Sequence, residues 1–152
     1  MGIKNEAGNR LLELGIKPSL HRIAILEYLM EHMTHPTADF IFNDLYPSIP
    51  TLSKTTVYNT LKLLEEQGAI HTINIDDKNL RYDADISPHA HFKCKRCGSV
   101  HDIRSKDIAA FEFEKPEDCI LTECQVYYKG YCKQCKDVFI QNKNQFNLFT
   151  NN

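Results

Sequence analysis

Two Cys-x-x-Cys pairs, Cys94-Lys-Arg-Cys97 and Cys132-Lys-Gln-Cys135, with 34 residues between them, constrain this chain more than any other feature. Each pair can turn two sulfurs toward one ion, and four thiolates at ~2.3 Å satisfy tetrahedral Zn2+ with no position left open. A site of that kind staples a small domain. Lys93, Lys95, Arg96, Lys133 and Lys136 offset the negative charge that four thiolates leave behind. The alternative is a redox pair, but neither copy sits where a strand runs into a helix, and redox chemistry does not explain two copies. Cys119 and Cys124 do not repeat the spacing. Lying in an apolar stretch expected to form a strand, they read by default as buried free thiols, with a peroxide-sensing disulfide or a second metal site as the alternative.

All six cysteines lie in the back half of a 152-residue chain, which suggests two subdomains. With 42% apolar and 25% charged residues, the composition is that of a folded protein, and no apolar run approaches the ~20 residues that span a bilayer. The first residues, Met1-Gly-Ile-Lys-Asn-Glu, have no apolar stretch ending in a cleavage site. The expectation is therefore a cytoplasmic protein without membrane partners, whose cysteines serve metal ligation or thiol chemistry rather than structural disulfides.

The front half reads as four helices and a hairpin. Ile3 to Leu14 has helical apolar spacing stopped by Gly15 and Pro18. Ser19 can cap a second helix reaching about His32, and Pro36-Thr37 opens a third that ends near Tyr46. Ser53 can cap the clearest helix, Lys54 to Gln67, before Gly68. Ile70 to Ile75 and Leu80 to Asp83 read as strands joined by the turn Asp76-Asp77-Lys78-Asn79. That order matches a winged helix-turn-helix, in which the helix before the wing enters the major groove.

Ser53, Lys54, Thr55, Thr56, Tyr58 and Asn59 would then offer hydroxyls, an amide and a cation to phosphates and base edges. The competing reading is a plain solvated face. Charge is mixed evidence: residues 1–85 carry eight Lys or Arg against twelve Asp or Glu, a net of −4, whereas residues 1–23 hold Lys4, Arg10, Lys17 and Arg22 against Glu6 and Glu13. A local basic edge with few neutralised phosphates per subunit, and hence a modest salt dependence, is the expectation.

A second constellation surrounds the first cysteine pair. His89 and His91 alternate by two, so on an extended strand both imidazoles point to one side. With carboxylates such as Asp83 and Asp102 they would suit Fe2+ or Mn2+ as well as Zn2+. His35, in His-Pro-Thr-Ala-Asp at a helix entrance, is a further candidate from the other subdomain. A histidine near a helix start is also commonly a solvated or capping residue, and Asp83 could simply end a strand.

Together, His35-Pro-Thr-Ala-Asp39, Thr55-Thr-Val-Tyr58-Asn-Thr-Leu61, Arg81-Tyr-Asp83, His89-Ala-His91-Phe-Lys-Cys94-Lys-Arg-Cys97-Gly and Gly130-Tyr-Cys132-Lys-Gln-Cys135 resemble the ferric uptake regulator family, and most its peroxide-sensing PerR branch. The resemblance spans roughly residues 5–137. It implies an α+β homodimer binding double-stranded operator DNA: a winged-helix DNA-binding domain over 1–84, a hinge over 85–88, and a dimerisation and metal-binding domain over 89–152. It implies one structural Zn2+ per subunit on Cys94, Cys97, Cys132 and Cys135. It also implies one regulatory Fe2+ or Mn2+ on His35, Asp83, His89, His91 and Asp102, with His35 and His89 the groups oxidised by peroxide. Asp102, where iron- and zinc-sensing relatives tend to carry glutamate, points to the peroxide branch, and Asn59 agrees with it. Tyr58 falls on a base-contacting position and Lys17 on a residue that reaches the minor groove.

Pro88, the extra imidazole of His101, and an irregular segment from Ile103 to Cys124 depart from the family pattern. An iron or zinc uptake regulator is the nearest competing reading. A zinc hydrolase such as a nucleobase deaminase needs a His-x-Glu arrangement and an open zinc position, whereas this chain has His89-Ala-His91 and a closed set of four thiols. A thiol oxidoreductase would require a reversible Cys94–Cys97 disulfide.

Overall fold

A computed structural model describes residues 3–76, 79–104, 117–120 and 122–141. The chain is α+β and divides into two compact units, Met1–Ser87 and Pro88–Asn152. No helix among the described residues is long and apolar enough to cross a membrane.

The first unit contains α1 (Ile3–Glu13), α2 (Leu20–Glu31), α3 (Ala38–Leu45), α4 (Lys54–Glu66) and the strands β1 (His71–Ile73) and β2 (Arg81–Asp83). Three helices begin at capping hydroxyls, Ser19 and Ser53 as expected and Thr37 where Pro36-Thr37 opens the third. Ser19, Thr37 and Ser53 accept hydrogen bonds from the backbone N–H groups of Arg22, Phe40 and Thr56, at 3.3, 3.3 and 3.0 Å. Each such cap contributes about 1 kcal/mol by satisfying an amide that the helix leaves unpaired. Gly68 closes α4 at φ +70°, a left-handed conformation that a side chain would strain. Leu11, Ile25, Leu26, Ile41, Val57, Leu61 and Leu64 are fully inaccessible and join α1 to α4 in one core.

β1 and β2 pair antiparallel, with Ile73 opposite Arg81, Thr72 opposite Tyr82 and His71 opposite Asp83. The strands are shorter than the alternation predicts, and Asp77 and Lys78 of the expected turn lie outside the described residues. Two arginines anchor the hairpin. Arg10 of α1 donates to Ala69 O at 2.6 Å and Ala84 O at 2.9 Å. It is therefore a structural clamp rather than part of the local basic edge expected over residues 1–23. Arg81 pairs with Asp76 and donates to His35 O at 3.0 Å.

The second unit holds β3 (Ala90–Cys94), β4 (Val100–Ile103) and β5 (Tyr127–Gly130) in the order β4-β3-β5, with a short helical run over 136–141. β3 is antiparallel to β4 and parallel to β5, which sets His91 opposite Asp102 and Cys94 opposite Gly130. A Cβ added to Gly130 would sit 3.2 Å from the Phe92 ring, so the absent side chain lets that ring close on β5.

Cys119 and Cys124 are both exposed, correcting the expectation of buried thiols. The strand in this stretch begins only at Tyr127, and residues 122–126 have no regular structure that would turn an apolar face inward. Much of the segment read as irregular, 105–116 and 121, lies outside the described residues.

Candidate metal centres and nucleic-acid interface

The four predicted zinc ligands converge. The sulfurs of Cys94, Cys97, Cys132 and Cys135 lie within 4.8 Å of one another, and all four are free thiols. Cys94 ends β3, and the turn to β4 brings Cys97 back, closed by Gly98 N–H donating to Cys94 O at 3.0 Å. The second pair lies between β5 and the helical run over 136–141, which corrects the expectation that neither copy stands where a strand runs into a helix, and Cys135 N–H donates to Cys132 O at 2.9 Å. The Cys97–Cys132 sulfur separation is 3.8 Å. A tetrahedron with ~2.3 Å arms has edges of about 3.8 Å, so this pair is spaced for zinc and too far apart for a disulfide.

The thiols differ in acidity. Amide hydrogens, first that of Cys97 and then that of Cys132, hold the Cys94 thiol down at about 6. The Ser99 hydroxyl, 3.1 Å away, lowers Cys97. Burial, followed by the neighbouring sulfurs, pushes Cys135 up to about 12. Four crowded sulfurs cannot all ionise without a cation among them, so the cluster fits a structural zinc site.

In the first unit His35 is 1% exposed and adopts φ +52°, the one non-glycine left-handed residue among those described. A buried side chain held in that region marks a site where the surrounding structure overrides local preference. β2 holds the turn: Tyr82 N–H donates to Pro36 O at 3.1 Å, and Arg81 bonds the carbonyl of His35 itself. His35 Nε2 lies 3.5 Å from Asp83 Oδ2, while Asp83 Oδ1 accepts from Asp85 N–H at 2.8 Å.

In the second unit His89 Nε2 and His91 Nε2 are 3.0 Å apart, and both face Asp102 Oδ1, at 3.4 and 3.8 Å. His91 lies on β3 and His89 immediately before it, so alternation turns both imidazoles to one side, and the register sets Asp102 across from His91. These nitrogen and oxygen donors suit Fe2+, Mn2+ or Zn2+ rather than a strictly thiophilic ion. His101 does not join them. One residue before Asp102, it faces the other side of β4, where its Nε2 lies 3.0 Å from Ser99 Oγ.

A groove of about 350 Å3 on the first unit gathers four of the predicted DNA contacts, Lys17, Arg22, Thr56 and Asn59. It also includes His21, which the sequence reading passed over because an imidazole beside Arg22 carries no pattern of its own. Arg22 donates to Lys17 O at 2.7 Å, and His21 Nε2 lies 3.1 Å from Thr51 Oγ1. Thr55 and Tyr58 are exposed on α4 outside that groove. Ser53 is occupied as the cap. Lys54 is paired with Asp39 at 2.7 Å, whose hydrogen bond and charge raise the lysine's pKa.

Four helices and a hairpin, followed by a small sheet carrying a four-cysteine cluster, define an α+β protein built to hold metal. Residues 13–129 match the ferric uptake regulator family, and the chain belongs to it. It is accordingly a transcriptional regulator and not an enzyme. A peroxide-responsive repressor PerR from Staphylococcus aureus strain Mu50 is 33% identical over 129 residues, covering 84% of this chain and 87% of that protein. The Helicobacter pylori ferric uptake regulator shares the fold at a TM-score of 0.65 and 20% identity, over 88% of this chain and 91% of the other. PerR from Streptococcus pyogenes aligns at a TM-score of 0.50 and 28% identity, over 89% and 94%.

Proposed function

We propose that the chain is a metal-dependent transcriptional repressor that senses peroxide, acting in the cytoplasm as a homodimer on double-stranded operator DNA. The observation that carries this reading is the separation of donors by chemistry. Four sulfurs form one set, while His89, His91 and Asp102 converge as a nitrogen and oxygen set in the same unit. A closed thiolate site is structural, whereas imidazoles with a carboxylate leave room for exchange. The 33% identity to a protein named for its peroxide response supports the branch.

In this reading residues 1–84 form a winged-helix DNA-binding domain, 85–88 a hinge, and 89–152 the dimerisation and metal-binding domain. Cys94, Cys97, Cys132 and Cys135 hold one Zn2+ per subunit. His35 and Asp83 on one side of the hinge, and His89, His91 and Asp102 on the other, hold one regulatory Fe2+ or Mn2+. Ligands drawn from both sides favour the arrangement in which all five converge, by the ratio of affinities for the two arrangements. Fe2+ held by these residues would supply the electron that opens the peroxide O–O bond, so that one peroxide oxygen leaves as water and the other is added to an imidazole carbon of His35 or His89. The oxidised ring would no longer offer a lone-pair nitrogen to the metal, weakening the tie across the hinge and releasing DNA.

Electrophoretic shifts with Mn2+, Fe2+ and Zn2+, followed by peroxide treatment and mass spectrometry of the His35 and His89 peptides, test the reading. The expected result is DNA release and added oxygen on histidine with Fe2+ only. Retained DNA and unmodified histidines would assign the chain to iron or zinc uptake control instead.

A further inference from the structure

Residues 1–85 carry a net charge of −4, and one of their acids is paired with Lys54, the cation at the start of α4. Asp39 in the first turn of α3 holds the Lys54 ammonium at 2.7 Å, and the Phe42 ring lies 5.8 Å from the same nitrogen. Asp39 and Phe42 are three residues apart and share one face of α3, so the two side chains cradle the first residue of α4 from one side. Both partners of the ion pair are more than half exposed. An exposed pair adds little to folding stability. Its consequence falls on whatever else would use the lysine.

We infer that Asp39 is a built-in counterion for Lys54, a positioning residue that keeps the cation from phosphate and so holds sequence-independent DNA affinity low. The inference rests on the DNA-binding reading of α4. A lysine that meets phosphate releases a condensed counterion, and each such contact adds about 0.9 to the slope of log affinity against log salt. While Asp39 occupies Lys54, the phosphate must compete with a carboxylate already in place. Lys54 then contributes little to affinity or to the slope, which accounts for how an acidic half can bind DNA without adhering to it indiscriminately.

The test uses the full chain with Mn2+ and a short mixed-sequence duplex, titrated between about 50 and 200 mM salt. Asp39→Asn is expected to raise affinity roughly three- to ten-fold at the low-salt end and to steepen the slope by up to ~0.9. Asp39→Ser should repeat that result, and Asp39→Glu should restore wild-type behaviour. In a Lys54→Gln background the gain should vanish, because the partner through which Asp39 acts is gone. Glu31→Gln, an exposed acid on α2, controls for net charge. An unchanged Asp39→Asn, an equal gain in the Lys54→Gln background, or an equal gain from Glu31→Gln would overturn the inference while leaving DNA binding intact. Failure of the wild-type chain to bind any duplex would instead remove the DNA-binding reading itself, and the inference with it.

Discussion

His91 and Asp102 are register partners across β3 and β4, and the imidazole Nε2 lies 3.8 Å from the carboxylate Oδ1. Eleven positions of sequence separate the two groups, and only the hairpin register sets them face to face. His89, two residues back on the same side, completes a three-donor array.

That array predicts a selective loss. Asp102→Ala or His91→Ala should reduce Mn2+ affinity by about 100-fold or more, exceeding the ~10–100-fold that loss of an outer-shell partner costs. Zinc content, read by mass spectrometry under native conditions, should stay at one per chain. Loss of zinc in step with Mn2+ would mean that the two donor sets are not independent.

The sulfur cluster predicts the opposite dependence. A strong chelator should strip zinc and abolish the cooperative unfolding of the second unit, because so small a core is marginal without its staple. Cys135→Ser, at a buried position, should be more disruptive than Cys97→Ser at an exposed one. Calorimetry with and without zinc checks both.

Arg10→Met should destabilise the first unit by about 2 kcal/mol, since two backbone carbonyls, Ala69 O and Ala84 O, lose a charged donor. The β-hairpin should show faster amide exchange than the helices, and a uniform change would argue against a local clamp.

Tyr28 gives an alkaline signature. Burial, then the hydrogen bond to Asp44 at 2.7 Å, raises its pKa above the ordinary value of 10.0. The neutral phenol is thus favoured in the folded state. Its contribution is fully present below pH 10 and is lost as pH climbs from there toward the raised value, because the unfolded chain releases the proton first. Tyr28→Phe should flatten the decline in stability above pH 10, and denaturant titrations across that range measure it.

The helices were legible because their signals are local. Ser19, Thr37 and Ser53 cap where the hydroxyls stand in the sequence, and the apolar spacing of Val57, Leu61 and Leu64 predicts the buried face of α4. The four sulfurs were legible because Cys-x-x-Cys spacing is itself a geometric statement. Arg10 was misread, since nothing near it in sequence announces the carbonyls of Ala69 and Ala84. Cys119 and Cys124 were misread because apolar neighbours were taken to imply a packed strand, and packing depends on a partner surface rather than on composition.

The chain's amino-acid order therefore determined the helices, the thiol chemistry of the four-cysteine cluster and the donor types of the second set, all of which follow from neighbours within a few residues. Tertiary structure decided which of those groups face each other. His35 became buried beside Asp83 only because β2 pins its turn, and Lys54 became tied to Asp39 only because α3 lies against the start of α4. Contacts of that kind are set by long-range packing and strand register, whose free energy is spread over many residues and leaves no local signature.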